Sequence, residues 1–187
     1  MKLRYSPTSP YVRKVVITVI ETSLEDRVEK IMTNPFDAKT EIGEENPLGK
    51  IPALITDDGQ VLYDSPVICE YLDSLHDGDK LFPASGDARW RAINLQALGD
   101  GMTDAGVACR LEGSRPEEFQ YDKWVRRQTA VIFRSMDALE NGLNELEGPV
   151  TIGHVAIGCS LGWLDFRLSD LNWRGERPGL AEWFEEF

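Results

Sequence analysis

The apolar pattern of the chain changes once, at a polar stretch that runs from residue 76 to residue 87. This stretch, HDGDKLFPASGD, is rich in Gly, Pro and Asp, which mark turns and loops. Before it, short strand-like runs alternate with helical patterns, and after it almost every apolar residue recurs at helical spacing. We therefore predict an α/β domain over residues 1–76 and an all-helical domain over residues 88–187, joined by a linker at 77–87.

The first domain is predicted to follow the order β-α-β, proline-rich turn, β-β-α. Valines at helical spacing predict a first helix over residues 10–22. The sequence DDGQ at 57–60 is typical of a hairpin turn between two short strands. Ser65 is expected to cap the last helix, with Pro66 as its first residue. Strands are predicted at 2–5, 28–32, 53–56 and 61–63.

The second domain is predicted to contain a long amphipathic helix and a buried one. One apolar stripe lies between Pro116 and Gly148-Pro149, and its members are Val125, Gln128, Ile132, Met136, Leu139, Leu143 and Leu146. A further helix is predicted to begin at Thr151, and apolar residues surround it so widely that we expect it to be buried. The sequence stops at AEWFEEF, inside a helical pattern, so we expect the natural protein to be longer.

The net charge narrows the range of partners. The 187 residues include 20 Lys and Arg against 32 Asp and Glu, which gives a net charge of −12. Such a surface repels phosphate backbones and anionic lipids, so neither nucleic acid nor a membrane is an expected partner. No apolar run approaches the roughly 20 residues of a membrane span, and no secretion signal is recognisable. We expect a cytoplasmic protein.

The cysteines and histidines indicate neither a disulfide framework nor a structural zinc site. Cys69, Cys109 and Cys159 lie far apart in the sequence, and there are only two histidines. We expect the three thiols to be small core residues and the function to need no metal.

Three segments of the first domain carry a resemblance to a known family. SPTSPYVRKV follows the first strand, NPLGKIPAL contains the proline-rich turn, and DSPVICEYLD begins the last helix. The order of the elements is that of a thioredoxin-like domain, and the three segments resemble the glutathione-binding half of cytosolic glutathione S-transferases. DGMTDAGVACRLE and TIGHVAIGCSLGWLDFR resemble that family's all-helical second domain. The resemblance covers essentially the whole chain and is closest to small bacterial members of the serine type.

Ser9 lies where the first strand of such a domain turns into the first helix. A helix N-terminus carries unpaired N–H groups and a partial positive charge, so a thiolate placed there is stabilised. The resemblance implies that Ser9 is the catalytic residue and donates a hydrogen bond to the glutathione sulfur; Ser6 and Thr8 are second choices. A helix cap is the plainer role for Ser9, and it is compatible with thiolate binding. Serine cannot form a mixed disulfide, which favours transfer chemistry over thiol reduction.

NPLGKIPAL is the second candidate binding segment. The resemblance implies that the Ile51-Pro52 peptide bond is cis and that the backbone of Ile51 pairs with the cysteinyl residue of glutathione, as in strand addition. Lys50 is a candidate for the glycine carboxylate of the ligand. A trans turn proline and a solvated lysine are the alternatives.

Asp64 and Ser65 form the third candidate binding segment. Ser65 offers a hydroxyl and a helix-start N–H to a carboxylate, and Asp64 would take a free ammonium. The γ-glutamyl end of glutathione has both groups, and the family uses an acidic residue followed by serine here. A simple helix cap is the alternative.

Other residues have weaker assignments. Tyr11 is a candidate for the electrophile pocket, and Asp104 for contact with a ligand across a subunit interface, with a solvated face or a dimer salt bridge as its alternative. The resemblance implies a homodimer. We expect Trp163, Phe166 and Trp173 to be core residues.

His154 departs from the family pattern. Its position at the start of the buried helix usually carries Asp, whose carboxylate completes a capping box. An imidazole is expected to accept less well there, so we expect His154→Asp to raise stability, and a catalytic role for His154 is the less favoured alternative.

The resemblance implies a glutathione S-transferase of the detoxification type, with glutathione as co-substrate and a small electrophile as the second substrate. Two alternatives stay open at this point. One is a glutathione-dependent isomerase, and the other is a non-catalytic binding or regulatory protein, because a fold does not fix a function.

Overall fold

A computed structural model describes residues 1–187 and separates them into two compact units, Met1–Ala84 and Ser85–Phe187. The first unit is a mixed α/β structure and the second is helical, as the sequence predicts. The elements of the first unit are β1 (Lys2–Tyr5), α1 (Pro10–Glu21), β2 (Glu29–Met32), α2 (Ile42–Glu45), β3 (Ala53–Ile55), β4 (Val61–Leu62) and α3 (Ser65–Asp73). Those of the second are α4 (Gly86–Glu112), α5 (Asp122–Asn141), α6 (Ile152–Arg167) and α7 (Pro178–Glu186).

The four strands form one sheet in the order β2-β1-β3-β4. β1 runs parallel to β2 and antiparallel to β3, with Arg4 opposite Ala53. β3 runs antiparallel to β4, with Leu54 opposite Leu62. The turn between β3 and β4 is the predicted hairpin, closed by a hydrogen bond of 2.9 Å from the Thr56 N–H to the Gln60 carbonyl.

The helices of the first unit begin close to their predicted positions. α1 starts at Pro10, whose missing N–H costs nothing in a first helical turn, and buries Val12, Val15 and Val19. For α3 the predicted cap is wrong by one residue. Asp64 is the N-cap, because its backbone is extended and its carbonyl already accepts from the Ile68 N–H at 3.1 Å, so Ser65 is the first helical residue.

α4 and α6 pack so closely that glycine is required at their contact. A Cβ on Gly153 would lie 2.6 Å from the Leu95 side chain, and one on Gly99 would lie 2.8 Å from the carbonyl carbon of Ala156. The contacts advance in the same direction along both helices, so the two run parallel. α6 is buried on nearly all sides, as predicted.

Two expectations for the second unit are wrong in detail. α5 ends at Asn141, and Leu143 and Leu146 lie in a separate 3₁₀ turn, because the chain leaves helical geometry at Gly142. Phe166 is 59% exposed and is not a core residue, whereas Trp163 and Trp173 are buried as expected. The three cysteines are buried, and no helix has the length and apolar character that a membrane span needs.

His154 joins three segments of the second unit. Its Nδ1 accepts from the Thr151 N–H at 3.0 Å, and its Nε2 lies 3.2 Å from the Leu146 carbonyl, to which it donates. Its ring also lies against those of Trp183 and Phe187, with centroids 6.3 and 6.5 Å away. The second hydrogen bond fixes the tautomer that the cap requires. We therefore expect Asp to lower stability at this position, the opposite of the effect expected from the sequence.

We predict that Gly99→Ala lowers the free energy of unfolding by about 1–3 kcal/mol, because the added Cβ meets backbone atoms that cannot move aside. Gly101→Ala is the matched control, since nothing lies within 4 Å of its added Cβ. That change is expected to raise stability by up to about 1 kcal/mol through helix propensity. Urea unfolding measures both, and a Gly99→Ala protein as stable as wild type contradicts the packing.

We predict that His154→Asp lowers stability by about 1–3 kcal/mol, because a carboxylate has no proton for the buried Leu146 carbonyl.

Burial lowers the pKa of His154 below its ordinary value. Its contribution is therefore fully present above the unfolded pKa of about 6.5 and is lost as the pH falls through the folded pKa. Unfolding in urea at about pH 7.5 and about pH 5.5 tests this.

The control is His76→Gln, which removes the other histidine. This variant is expected to be less stable at the lower pH than at the higher one, as wild type is. His154→Gln is expected to abolish that loss. A wild-type protein with equal stability at the two pH values would contradict the role of His154.

Candidate functional site

One edge of the sheet gathers the three segments singled out in the sequence. Because β1 and β3 are antiparallel, the segment that leaves β1 and the segment that enters β3 lie at the same edge. β4 is antiparallel to β3, so the chain also leaves β4 at that edge. Residues 6–9, 50–52 and 63–65 therefore meet where α1 and α3 begin.

Ser9 is the N-cap of α1. Its Oγ accepts from the Val12 N–H at 3.3 Å, and its own N–H donates to the Ser6 carbonyl at 3.3 Å. The half-buried hydroxyl therefore lies at the positive end of the helix dipole and keeps a proton that it can donate. The hydroxyls of Ser6 and Thr8 lie 3.3 Å from each other, one turn before the helix. Ser9 is thus the hydroxyl that belongs to the helix start.

The Ile51-Pro52 peptide bond is cis, as predicted. Ile51 is buried in one apolar cluster with Val12, Ile42 and Ala53, which places it against the first turn of α1. No other backbone group of the chain pairs with the N–H or the carbonyl of Ile51. Its backbone N–H and carbonyl are therefore left without a partner in the backbone hydrogen bonding of the chain. The side chain of Lys50 is exposed.

Ser65 lies in the first turn of α3 and is only 2% exposed, whereas Asp64, the residue before it, is exposed. The Tyr63-Asp64 peptide bond is also cis. α3 packs against α1, and both helices begin at the same edge of the sheet. Two helix N-termini therefore direct positive potential to one place, which suits an anionic ligand.

Tyr11 and Asp104 have different surroundings. Tyr11 is half-buried in the first turn of α1, next to the sheet edge. Asp104 is exposed on α4, in the second unit. The structure thus brings Ser9, Tyr11, Lys50, Ile51, Pro52, Asp64 and Ser65 to one edge of the first unit. No group of three or more His, Cys, Asp or Glu that could hold a metal is present.

Two features of this edge were missed in the sequence. Asn46 is completely buried and its carboxamide bonds to the loop that follows it. Arg4 and Glu45 form a two-pronged ion pair, with Nε 2.7 Å from Oε2. The Arg4 guanidinium lowers the pKa of the Glu45 carboxyl by hydrogen bonding. The dipeptide Asn46-Pro47 is a turn signal that could have indicated the first feature.

The chain is similar to known proteins over nearly its whole length. Residues 8–75 match the N-terminal domain of glutathione S-transferases, and residues 122–186 match their C-terminal domain. The Escherichia coli K12 protein YibF, described as an uncharacterized GST-like protein, is 35% identical over 99% of this chain and 92% of its own.

Solved structures give the same result. A glutathione transferase family member from Pseudomonas fluorescens Pf-5, with bound glutathione, is 43% identical with a TM-score of 0.94, over 99% of this chain and 92% of that one. A glutathione S-transferase from Methylobacillus flagellatus KT, with glutathione bound, is 36% identical with a TM-score of 0.93, over 99% and 93%. The predicted fold class and family are therefore confirmed: the chain belongs to the glutathione S-transferase family, with its N-terminal α/β domain followed by its helical C-terminal domain.

Proposed function

We propose that the protein is a glutathione S-transferase that activates the glutathione thiol at Ser9 for attack on a small electrophile. The observation that carries this proposal is the hydroxyl of Ser9, held at the N-terminus of α1. The first turn of that helix packs against Ile51, whose backbone groups are unpaired within the chain. Relatives 43% and 36% identical to this chain hold bound glutathione, which supports glutathione as the ligand of this protein.

The geometry of Ser9 suits stabilisation of a thiolate. Its oxygen accepts from the Val12 N–H, which polarises the O–H bond and strengthens the hydroxyl as a donor. A charge-assisted hydrogen bond and the helix dipole both favour the anion over the thiol. Each unit by which the thiol pKa falls corresponds to about 1.4 kcal/mol of extra stabilisation of the anion.

The rest of the tripeptide would lie along the sheet edge. Its cysteinyl backbone would pair with Ile51, which leads into β3 across Pro52, and its glycine carboxylate would approach the ammonium of Lys50. Its γ-glutamyl carboxylate would bind at Ser65 and the N-terminus of α3, with its ammonium at Asp64.

In the reaction, a lone pair of the sulfur attacks an electrophilic carbon and forms a C–S bond. The electron pair displaced from that carbon leaves with the departing group or takes up a proton from water. One relative, 43% identical, holds S-(propanoic acid)-glutathione, whose sulfur carries a carbon substituent as a conjugation product does. The half-buried Tyr11, in the first turn of α1, would contact the electrophile. We assign the protein to the cytoplasm, where glutathione keeps thiols reduced.

We predict that Ser9→Ala raises the pH midpoint of thiolate formation in bound glutathione by about one unit, because the anion loses a hydrogen bond. The ultraviolet absorbance of the thiolate measures the midpoint, and calorimetry measures the affinity, which is expected to be nearly unchanged. Ser65→Ala is the matched comparison: it should weaken binding and leave the midpoint in place.

A wild-type midpoint equal to that of free glutathione would contradict thiol activation. A protein that does not bind glutathione at all would be a scaffold with another role. Product analysis separates transfer from isomerisation, since only transfer consumes glutathione.

We also propose that the protein is a homodimer, with Asp104 of α4 near the interface. The support is the family resemblance together with Trp90, which is 66% exposed and lines a groove on α4 with Ile93 and Ala97. We predict a mass by light scattering of twice the 21.1 kDa of the chain, and a shift toward the monomer for Trp90→Glu. A wild-type monomer would contradict this proposal.

A further inference from the structure

Asn46 is a completely buried polar residue, and every polar group it carries is used. Its Nδ2 donates to the Lys50 carbonyl at 2.8 Å, and its Oδ1 accepts from the Leu48 N–H at 3.0 Å. Its own N–H donates to the Ile42 carbonyl at 2.7 Å, and its carbonyl accepts from the Gly49 N–H at 2.8 Å. One residue therefore fixes the loop from residue 46 to residue 50, and its side chain makes the bonds to Leu48 and Lys50.

The loop is also held at both ends by one residue of β1. The guanidinium of Arg4 binds the carboxylate of Glu45, just before the loop. The backbone of Arg4 pairs with Ala53, just after it. With its ends fixed in this way, the path of the loop between them depends on the bonds of Asn46. Lys50 is the last residue of the loop and Ile51 is the first residue after it.

We infer that Asn46 is a positioning residue for glutathione: by holding the Lys50 carbonyl, its buried carboxamide sets the direction in which the Lys50 side chain and the Ile51 backbone meet the tripeptide. Asn46 is completely buried, so it would act without touching the ligand itself. The inference rests on the proposed function, and it adds a residue that acts only through its neighbours.

The chain contains a natural control for this role. Asn34 also precedes a proline, and its Oδ1 accepts from the Phe36 N–H at 3.1 Å, the same turn that Asn46 makes with Leu48. Asn34 is exposed, however, and its turn involves no bond comparable to that between the Asn46 amide and Lys50. The two residues thus make the same turn, but only the Asn46 side-chain amide donates a hydrogen bond to the chain beyond the turn.

The test compares Asn46→Ser with Asn34→Ser. Serine can keep the turn, because its hydroxyl also accepts from the N–H two residues on, but it is too short to hold the Lys50 carbonyl. We expect Asn46→Ser to raise the Kd for glutathione about tenfold, the factor that loss of one hydrogen bond commonly gives. Asn34→Ser should bind like wild type. The thiolate midpoint of bound glutathione, set by Ser9, should not move.

A second ligand distinguishes a loss of Lys50 positioning from a general loss of order in the binding loop. γ-Glutamylcysteine lacks the glycine carboxylate that Lys50 would bind, so its Kd should rise less than that of glutathione. Asn46→Asp, which keeps the size and the acceptor and loses the donor, is the second variant if the serine protein does not fold.

Each outcome is decisive. If wild type binds glutathione and the Asn46 variants bind it equally well, or lose both ligands to the same extent, the inference is overturned and the proposed function stands. If wild type does not bind glutathione, both are overturned.

Discussion

The antiparallel register between β1 and β3 is the constraint on which the site depends. With Arg4 opposite Ala53, the segment that leaves β1 and the segment that enters β3 share one edge of the sheet. The hairpin then returns β4 to the same edge. Leu3 and Leu54 are paired and fully buried, so a slip of one residue would turn one of the two toward the opposite face. The apolar core therefore enforces the register that brings the polar segments together.

The candidate site combines local positive charge with an acidic surface. The chain has a net charge of −12, which by itself would repel a negatively charged tripeptide. The N-termini of α1 and α3 lie at one edge and present N–H groups there, and Lys50 adds a full positive charge nearby. Helix dipoles act over about one turn, so the attraction is local. The acidic surface elsewhere limits competition from larger polyanions.

Local patterns predicted most of the fold, because strands and helices of this protein have clear apolar periodicities. The predictions failed where backbone geometry determines the exact residue at which a helix begins or ends. The extended backbone of Asp64 makes it the cap in place of Ser65. Gly142 ends α5 earlier than predicted. Ser9, Ile51 and Ser65 could be singled out because they belong to recognisable segments. Asn46-Pro47 signals a turn, but the bond from the Asn46 amide and the tautomer of His154 could not be predicted. Both depend on carbonyls, of Lys50 and Leu146, that only the folded chain brings near.

The placement of sulfur in this protein has a consequence for its chemistry. Glutathione disulfide exchanges with protein thiols that it can reach: the protein thiolate attacks one sulfur, a mixed disulfide forms and reduced glutathione leaves. Cys69, Cys109 and Cys159 are all buried, and the side chain at the start of α1 is an alcohol. A protein arranged in this way can handle a thiol substrate without becoming attached to it. For the proposed transferase this means that glutathione disulfide in the surrounding pool finds no exposed thiol on the protein to cap.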